Sequence, residues 1–286
     1  MPKPLGGARD RAYAEVIGDP IAHSLSPLIH GRWIEALGLE ADYRRTLVAG
    51  ADLAGYLAAR RADPDWRGCS VTAPHKVAII PLLDRLTPAA ERIGAVNCVF
   101  REGGALVGDN KDFDGIAAAL GSADLAGRKA VIIGAGGAAA PAVDYLLERE
   151  GSEIVLLVRD PSKAAHLIGR APDRIRAEPM GSAAAAIAGA AAIINATPLG
   201  MNGAPPVPRS VLDGLATAAA GATVLDMVYR PEKTPLLAAA ETAGLHPVGG
   251  LAMLVGQARP AFARFFGLAA PADDDQELRH AVGLGA

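Results

Sequence analysis

The segment GDNKDFDG, Gly108 to Gly115, sets Lys111 directly beside Asp112, with apolar, alanine-rich sequence on either side. Other short polar stretches precede it. GDPIAHSLSPLIH carries Ser24 and Ser26, SVTAPHK carries Thr72 and Lys76 just after Ser70's strand-like run, and GAVN carries Asn97. A lysine poised beside a carboxylate can shuttle a proton. Two hydroxyls at alternate positions beside a helix N-terminus suit a carboxylate ligand. Each residue taken singly also has an ordinary reading: an N-cap for the serines, a helix cap for Asp112, a solvated side chain for the lysines.

A second constellation lies in VIIGAGGAAA, where Gly134, Ala135, Gly136, Gly137 and Ala138 follow an apolar strand and precede a helix. Glycines there allow a tight turn and let backbone N–H groups approach a pyrophosphate, which a helix N-terminus favours electrostatically. About twenty residues on, at the end of the next strand, come Arg159 and Asp160, where a ribose-recognising acid is expected. A carboxylate at Asp160 repels a 2′-phosphate and favours NAD; the Arg159 guanidinium suits phosphate and pulls toward NADP. NAD is the favoured expectation, NADP the other. No CxxC or paired-histidine spacing accompanies Cys69 and Cys98, so no metal site is expected.

The elements that must position these residues alternate. AYAEVIG, DYRRTLV and WRGCSVTAP read as strands, SPLIHGRWIEALGL and ADLAGYLAARRA as helices, and AVNCVFREGGALVGD as a hairpin turning at Gly103-Gly104. KAVIIGAGGAAAPAVDYLLERE and SEIVLLVRDPSKAAHLI each read as strand then helix, followed by strands in AAIINATP and ATVLDMVY and a helix in TPLLAAAETAG. GGLAMLVGQARPAFARFFG and DDDQELRHAVG close the chain as two helices. Strands separated by helices indicate parallel βαβ units covered on both faces. The expected fold class is α/β in two lobes, an N-terminal α/β lobe and a Rossmann-like, doubly wound nucleotide domain.

Composition narrows the function classes. A net charge of −3 with no long basic block gives no electrostatic footprint for nucleic acid or membrane. Aromatic residues make up 4%, too few for a base-stacking platform. The run AAAAIAGAAAII, Ala183 to Ile194, is too short to span a bilayer, and MPKPLGGARDRAY lacks the apolar core of a signal peptide. Two cysteines exclude a disulfide framework, and a cytoplasmic protein is expected.

Taken in order, PIAHSLSP, VTAPHK, GAVN, GDN-D, GAGGA, NATPLGM, DMVYRPEKTPLL and GGLAMLVGQ resemble the shikimate dehydrogenase family over nearly the whole chain. The resemblance implies a substrate-binding domain at residues 1–111, completed by helices in 251–286, and a dinucleotide-binding domain at 112–250. It implies Lys76 and Asp112 as the catalytic pair. Ser24, Ser26 and Tyr229 would hold a substrate carboxylate, and Thr72, Asn97, Asp112 and Gln257 would face ring hydroxyls. Met227, Gly250 and the turn containing Thr197 would lie near the nicotinamide.

The expected activity is NAD(P)-dependent interconversion of shikimate, or a close analogue such as quinate, with its 3-dehydro form. The ligand is a small polyhydroxylated ring carboxylate, and the protein a monomer or homodimer. A non-catalytic sensor of such a ligand is the alternative. Ser70, Lys111 and Cys98 stand where the family usually has asparagine, threonine and threonine, and Val158-Arg159-Asp160 replaces Asn-Arg-Thr. Ser70 and Lys111 are expected near the ring, retuning the pocket away from ordinary shikimate turnover.

Overall fold

A computed structural model describes residues 11–121, 123–272 and 278. The chain divides into two compact units. The first holds the residues up to Glu91, Ala95–Asn110 and those from Ala258 on; the second holds Arg92–Gly94 and Lys111–Gln257.

The first unit runs β1 (Ala12–Gly18), α1 (Ser26–Ala36), β2 (Ala41–Leu47), α2 (Leu53–Ala62), β3 (Trp66–Val71), α3 (His75–Ala78), β4 (Arg85–Leu86), α4 (Pro88–Ile93), β5 (Cys98–Glu102) and β6 (Ala105–Asp109), with α4 ending in the second unit. Its sheet order is β2-β1-β3-β5-β6-β4. β1 pairs in parallel with both β2 and β3, whereas β5 is antiparallel to β3 and β6. The β5–β6 hairpin turns at Gly103 and Gly104, with φ of 60° and 83°, flanked by the pair Glu102–Ala105. Two consecutive positive φ values make a type I′ turn, which matches strand twist and which glycine adopts without penalty.

Under one face of this sheet Tyr13, Ile17, Trp66, Val71 and Val99 form a core with Leu53 and Leu57. In the middle of that face lies Glu15, with no exposed surface. Its carboxylate accepts hydrogen bonds from Tyr56 Oη at 2.7 Å, Arg60 Nε at 2.6 Å and the Thr46 hydroxyl. A buried carboxylate is tolerable only when paired and saturated with donors, and this one is.

The second unit runs α5 (Asp112–Leu120), β7 (Lys129–Ile133), α6 (Ala139–Leu147), β8 (Glu153–Val158), α7 (Ala165–Ile168), β9 (Ile175–Pro179), α8 (Ala183–Ile187), β10 (Ala192–Asn195), α9 (Arg209–Gly214), β11 (Thr223–Asp226), α10 (Pro235–Thr242), β12 (His246–Gly249) and α11 (Gly250–Phe266). α11 passes into the first unit after Gln257. All six strands are parallel, in the order β12-β11-β10-β7-β8-β9. β7, β8 and β10 are almost wholly buried, as continuous apolar runs covered on both faces must be. The strand order reverses between β7 and β10, the doubly wound arrangement.

Three strands carry no clear sequence signal. β4 has two residues, β9 (IRAEP) is an edge strand carrying charges, and β12 (HPVG) is an edge strand carrying a proline. Edges tolerate such residues because one side of the ladder is unpaired. The helix expected in DDDQELRHAVG lies outside the described residues except at Leu278. Among the described residues no helix is long and apolar enough to cross a membrane.

Arg60→Ala is expected to lower stability by about 3 kcal/mol, near the lower end of the cost of orphaning a buried charge, because Thr46 and Tyr56 remain as donors. Urea denaturation of wild type and variant measures this, and a change under about 0.5 kcal/mol, the size of an ordinary surface substitution, would refute the role given to the pair.

Candidate active site

In the first unit the polar residues singled out from the sequence gather at the C-terminal ends of β1 and β3. Thr72 follows β3, its N–H bonded to Ile17 O at 3.0 Å, and Val71 N donates to Asn97 O at 2.8 Å. The backbone oxygen of Lys76 accepts from Val96 N at 2.8 Å, so the lysine's helix is stitched to the segment containing Asn97. A second tether comes from His75, whose buried ring places Nε2 2.7 Å from Val48 O beyond the end of β2.

Ser24 and Ser26 belong to the same end. Leu25, not a serine, is the N-cap of α1; Ser24 Oγ accepts from Ser26 N at 3.3 Å and lies 3.3 Å from Ser26 Oγ. Arg45 Nε donates to Ser24 O at 2.9 Å and holds the loop to β2. Ser24, Ser26, Ser70 and Asn97 are all buried, Thr72 and Lys76 partly so. Nearby, Asn110 Nδ2 donates to Ala95 O at 2.9 Å, and Asp109 Oδ1 accepts from the Thr87 hydroxyl at 2.7 Å. A cavity of about 360 Å³ at the end of β2, lined by Thr46, Val48, Asp52 and Tyr56 among others, includes none of the candidate residues.

In the second unit Asp112 is the first residue of α5, buried, with Lys111 at the N-cap. Lys111 is no solvated surface lysine: its side chain keeps 14% of its exposure, and its ammonium lies 3.9 Å from the Asp114 carboxylate. Gln257 meets α5 one turn further on. A side chain on Gly115 would come within 2.6 Å of Met253 O and 3.1 Å of Gln257 Cβ, and one on Gly256 within 2.6 Å of Ala118 Cβ. Small residues on both helices thus bring the backbones together and hold Gln257 against the helix that begins with Asp112.

The glycine turn sits at the strand-order reversal. Gly134 takes φ of 106°, and a Cβ there would approach Thr197 Cγ2 to 2.7 Å, so glycine is required on two counts. Around Gly136 and Gly137 an added Cβ meets nothing within 4 Å. Their backbones face open space before α6, as an approaching pyrophosphate needs, so the turn fits a dinucleotide. Ala135 and Ala138 lie partly buried within it. Asp160 is exposed beside exposed Arg159, and its Oδ1 accepts from Ser162 N at 3.1 Å and Ser162 Oγ at 2.7 Å. These bonds to Ser162 hold the carboxyl below its usual range.

The turns after β10 and β11 share one anchor that the sequence reading missed. Asp226, with no exposed surface, accepts from Asn195 Nδ2 at 2.9 Å, Val228 N at 3.0 Å and Thr234 Oγ1 at 2.6 Å. Asn195 Oδ1 in turn accepts from Thr197 N and Oγ1, at 3.1 and 2.6 Å. Burial nonetheless pushes the Asp226 carboxyl upward, against its three donors. One network therefore shapes the loops that carry Thr197, Met227 and Tyr229. The available signal was a polar Asn and Asp ending two apolar strands, a poor place for polar groups without partners. Gly250 completes the cluster: a Cβ there would come within 2.6 Å of the Met227 carbonyl carbon.

Comparison with known proteins places the chain in a family. Residues 16–99 match the family described as the shikimate dehydrogenase substrate binding domain, and residues 116–200 match shikimate/quinate 5-dehydrogenase. A shikimate dehydrogenase (NADP(+)) of Sphingopyxis alaskensis is 45% identical over 93% of this chain and 95% of its own. The chain belongs to the shikimate dehydrogenase family. A crystal structure of a shikimate dehydrogenase in complex with NADP+ superposes with a TM-score of 0.85 at 28% identity, covering 98% of each chain. The Thermus thermophilus enzyme with NADP(H) and shikimate gives 0.81 at 34% identity, covering 95% of this chain and 98% of its own. The Listeria monocytogenes enzyme with shikimate and NAD gives 0.81 at 30%, covering 98% of each.

Membership makes the protein an oxidoreductase of the shikimate dehydrogenase type that uses a nicotinamide dinucleotide. A preference for NAD finds no support, since the curated relative is named for NADP(+). Asp160, on which that preference rested, also has one oxygen engaged in capping its own turn.

Gly250→Ala is expected to cost about 1–3 kcal/mol, the usual cost of overpacking, because its new methyl meets backbone that must shift rather than a flexible side chain. Chemical denaturation against Gly136→Ala, whose methyl enters open space, measures it. Equal stabilities would contradict the close approach at Gly250.

Proposed function

We propose that this shikimate dehydrogenase family member interconverts shikimate and 3-dehydroshikimate with NADP, using Lys76 and Asp112 as its proton-transferring pair. The observation that carries the reading is the gathering of Ser70, Thr72, Lys76 and Asn97 at one end of a single sheet, with the Lys76 helix tethered on two sides. Neighbouring hydroxyls and amides there can orient a polyhydroxylated ring, and fixed orientation is where much of a rate enhancement originates.

In oxidation Lys76 takes the proton of the reacting hydroxyl, and in reduction it returns that proton to the carbonyl oxygen. Asp112 is the acidic member of the pair, as the family motif assigns it. Thr72, Asn97 and Gln257 bind ring hydroxyls, and Ser24, Ser26 and Tyr229 bind the carboxylate. A nicotinamide held in this site would supply or accept the hydride. The residues from Gly134 to Ala138 would hold the pyrophosphate, with Thr197, Met227 and Gly250 toward the nicotinamide. Lys111 has Asp114 beside it, so part of its charge is compensated locally.

NADP is preferred because Arg159 is exposed at the end of β8, where a guanidinium can pair with a 2′-phosphate, while Asp160 is drawn into its cap with Ser162. Arg159→Ala should lower kcat/KM for NADP by about tenfold or more and leave that for NAD nearly unchanged, given the strength of charge-assisted hydrogen bonds. A wild-type enzyme with the higher kcat/KM for NAD would overturn the assignment.

Lys76→Ala should reduce kcat by about 10²–10⁴, the range for loss of a general acid–base, with shikimate affinity largely kept. Steady-state rates paired with calorimetric titration separate the two effects. A variant retaining most of its kcat would remove Lys76 from the chemistry.

A further inference from the structure

The opposite face of the first sheet carries a line of contacts that the roles above leave unused. Tyr43 on β2 and Ser70 on β3 flank β1, and their side chains meet across it, Tyr43 Oη lying 2.8 Å from Ser70 Oγ. The ring crosses where the intervening residues are small. Tyr43 pairs with Ala14, which pairs with Gly68, and a Cβ on Gly68 would lie 2.6 Å from the Phe265 ring. Tyr43 is stacked on His30, centroids 4.0 Å apart and planes 6° from parallel, and His30 is backed by Trp33 and Phe262.

His30 acts here as a flat apolar plate. It is fully buried, neither ring nitrogen has a hydrogen-bond partner, and burial pushes its imidazole down to about 3, so it stays neutral. It therefore offers Tyr43 a surface and no acceptor. Tyr43 is itself buried, and Ser70 is its one side-chain hydrogen-bond partner among the described residues. Were Tyr43 to accept from Ser70, its own O–H would be left buried without an acceptor, a costly arrangement. Tyr43 must therefore donate. One lone pair of Ser70 Oγ is then taken, and the Ser70 proton points away from Tyr43, with no other partner for that hydroxyl among the described residues.

We propose that Tyr43 locks Ser70 as a hydrogen-bond donor to an oxygen of the bound substrate, making Ser70 a specificity-determining residue and Tyr43 the positioning residue behind it. The inference rests on the reading above that the β3 end faces the substrate. Ser70 is separated from Thr72 by one residue and pairs across the ladder with Cys98, next to Asn97. A serine whose rotor is fixed by a buried phenol selects for an acceptor at that point of the ring. Aligned before the ligand arrives, it loses less rotamer freedom on binding.

The test compares wild type with Tyr43→Phe, Ser70→Ala and the double variant. Shikimate Kd is measured by calorimetry without nucleotide, and kcat/KM for shikimate and for NADP by steady-state rates. Tyr43→Phe keeps the ring on His30, and thermal melting checks that the fold is retained. Each single variant should weaken shikimate by about three- to tenfold, the value of one neutral hydrogen bond, with KM for NADP unmoved. The double variant should be no weaker than Ser70→Ala, because Tyr43 acts only through Ser70.

Wild-type affinity in Tyr43→Phe alongside a loss in Ser70→Ala would overturn the lock while leaving Ser70 at the substrate. A Tyr43→Phe loss that persists in full on the Ser70→Ala background would make Tyr43 merely structural. Unchanged affinity in Ser70→Ala would remove Ser70 from the site, whereas the Lys76→Ala result bears on the catalytic reading separately.

Discussion

A strand buried on both faces and hydrogen-bonded along both edges can offer chemistry only at its ends. In both sheets of this protein the central parallel strands are of that kind, so the side chains available for chemistry collect where those strands stop. The first unit ends β1 and β3 beside Thr72, Lys76 and Asn97. The second ends β7, β10 and β11 beside the glycine turn, Thr197 and Met227. In the second unit the reversal of strand order between β7 and β10 opens the crevice that a doubly wound sheet uses for a nucleotide.

Holding those ends in place takes buried polar groups, and their placement follows a common logic. Asp226 and Glu15 are carboxylates with no exposed surface, each saturated by donors from other segments. Asp226 ties the loop after β10 to the loop after β11; Glu15 ties β1 to β2 and α2. His75 and Arg45 tether backbone carbonyls near Lys76 and Ser24. Unpaired, such groups would destabilise the fold, so they fix one loop geometry among many. Close packing supplements them where glycine permits it, at Gly115 against α11 and at Gly250 against Met227.

Much of this was legible in the sequence, for identifiable reasons. The apolar runs of β7 and β8 and the Gly103-Gly104 turn each follow from one local rule, and the polar motifs fell in a recognisable order. Less visible was what depends on partners distant in sequence. The Tyr43–Ser70 bond joins residues 27 apart and the Asn195–Asp226 bond residues 31 apart, and no local pattern announces either. The expected preference for NAD, which the relatives named for NADP(+) do not support, rested on the same kind of gap. Asp160 read as a ribose acceptor until Ser162 was seen to engage it in a cap. Edge strands β9 and β12 were passed over because their charges and proline are permitted by an unpaired edge, which sequence alone does not reveal.

The central claim is that the residues at the end of the first sheet turn shikimate over rather than merely hold it. The most direct measurement combines calorimetric titration with shikimate and absorbance at the reduced-nicotinamide band, on one preparation of the wild-type protein. The account predicts saturable shikimate binding together with shikimate-dependent reduction of NADP. Tight shikimate binding without reduction of either NADP or NAD would contradict it and leave a binding protein in place of an enzyme.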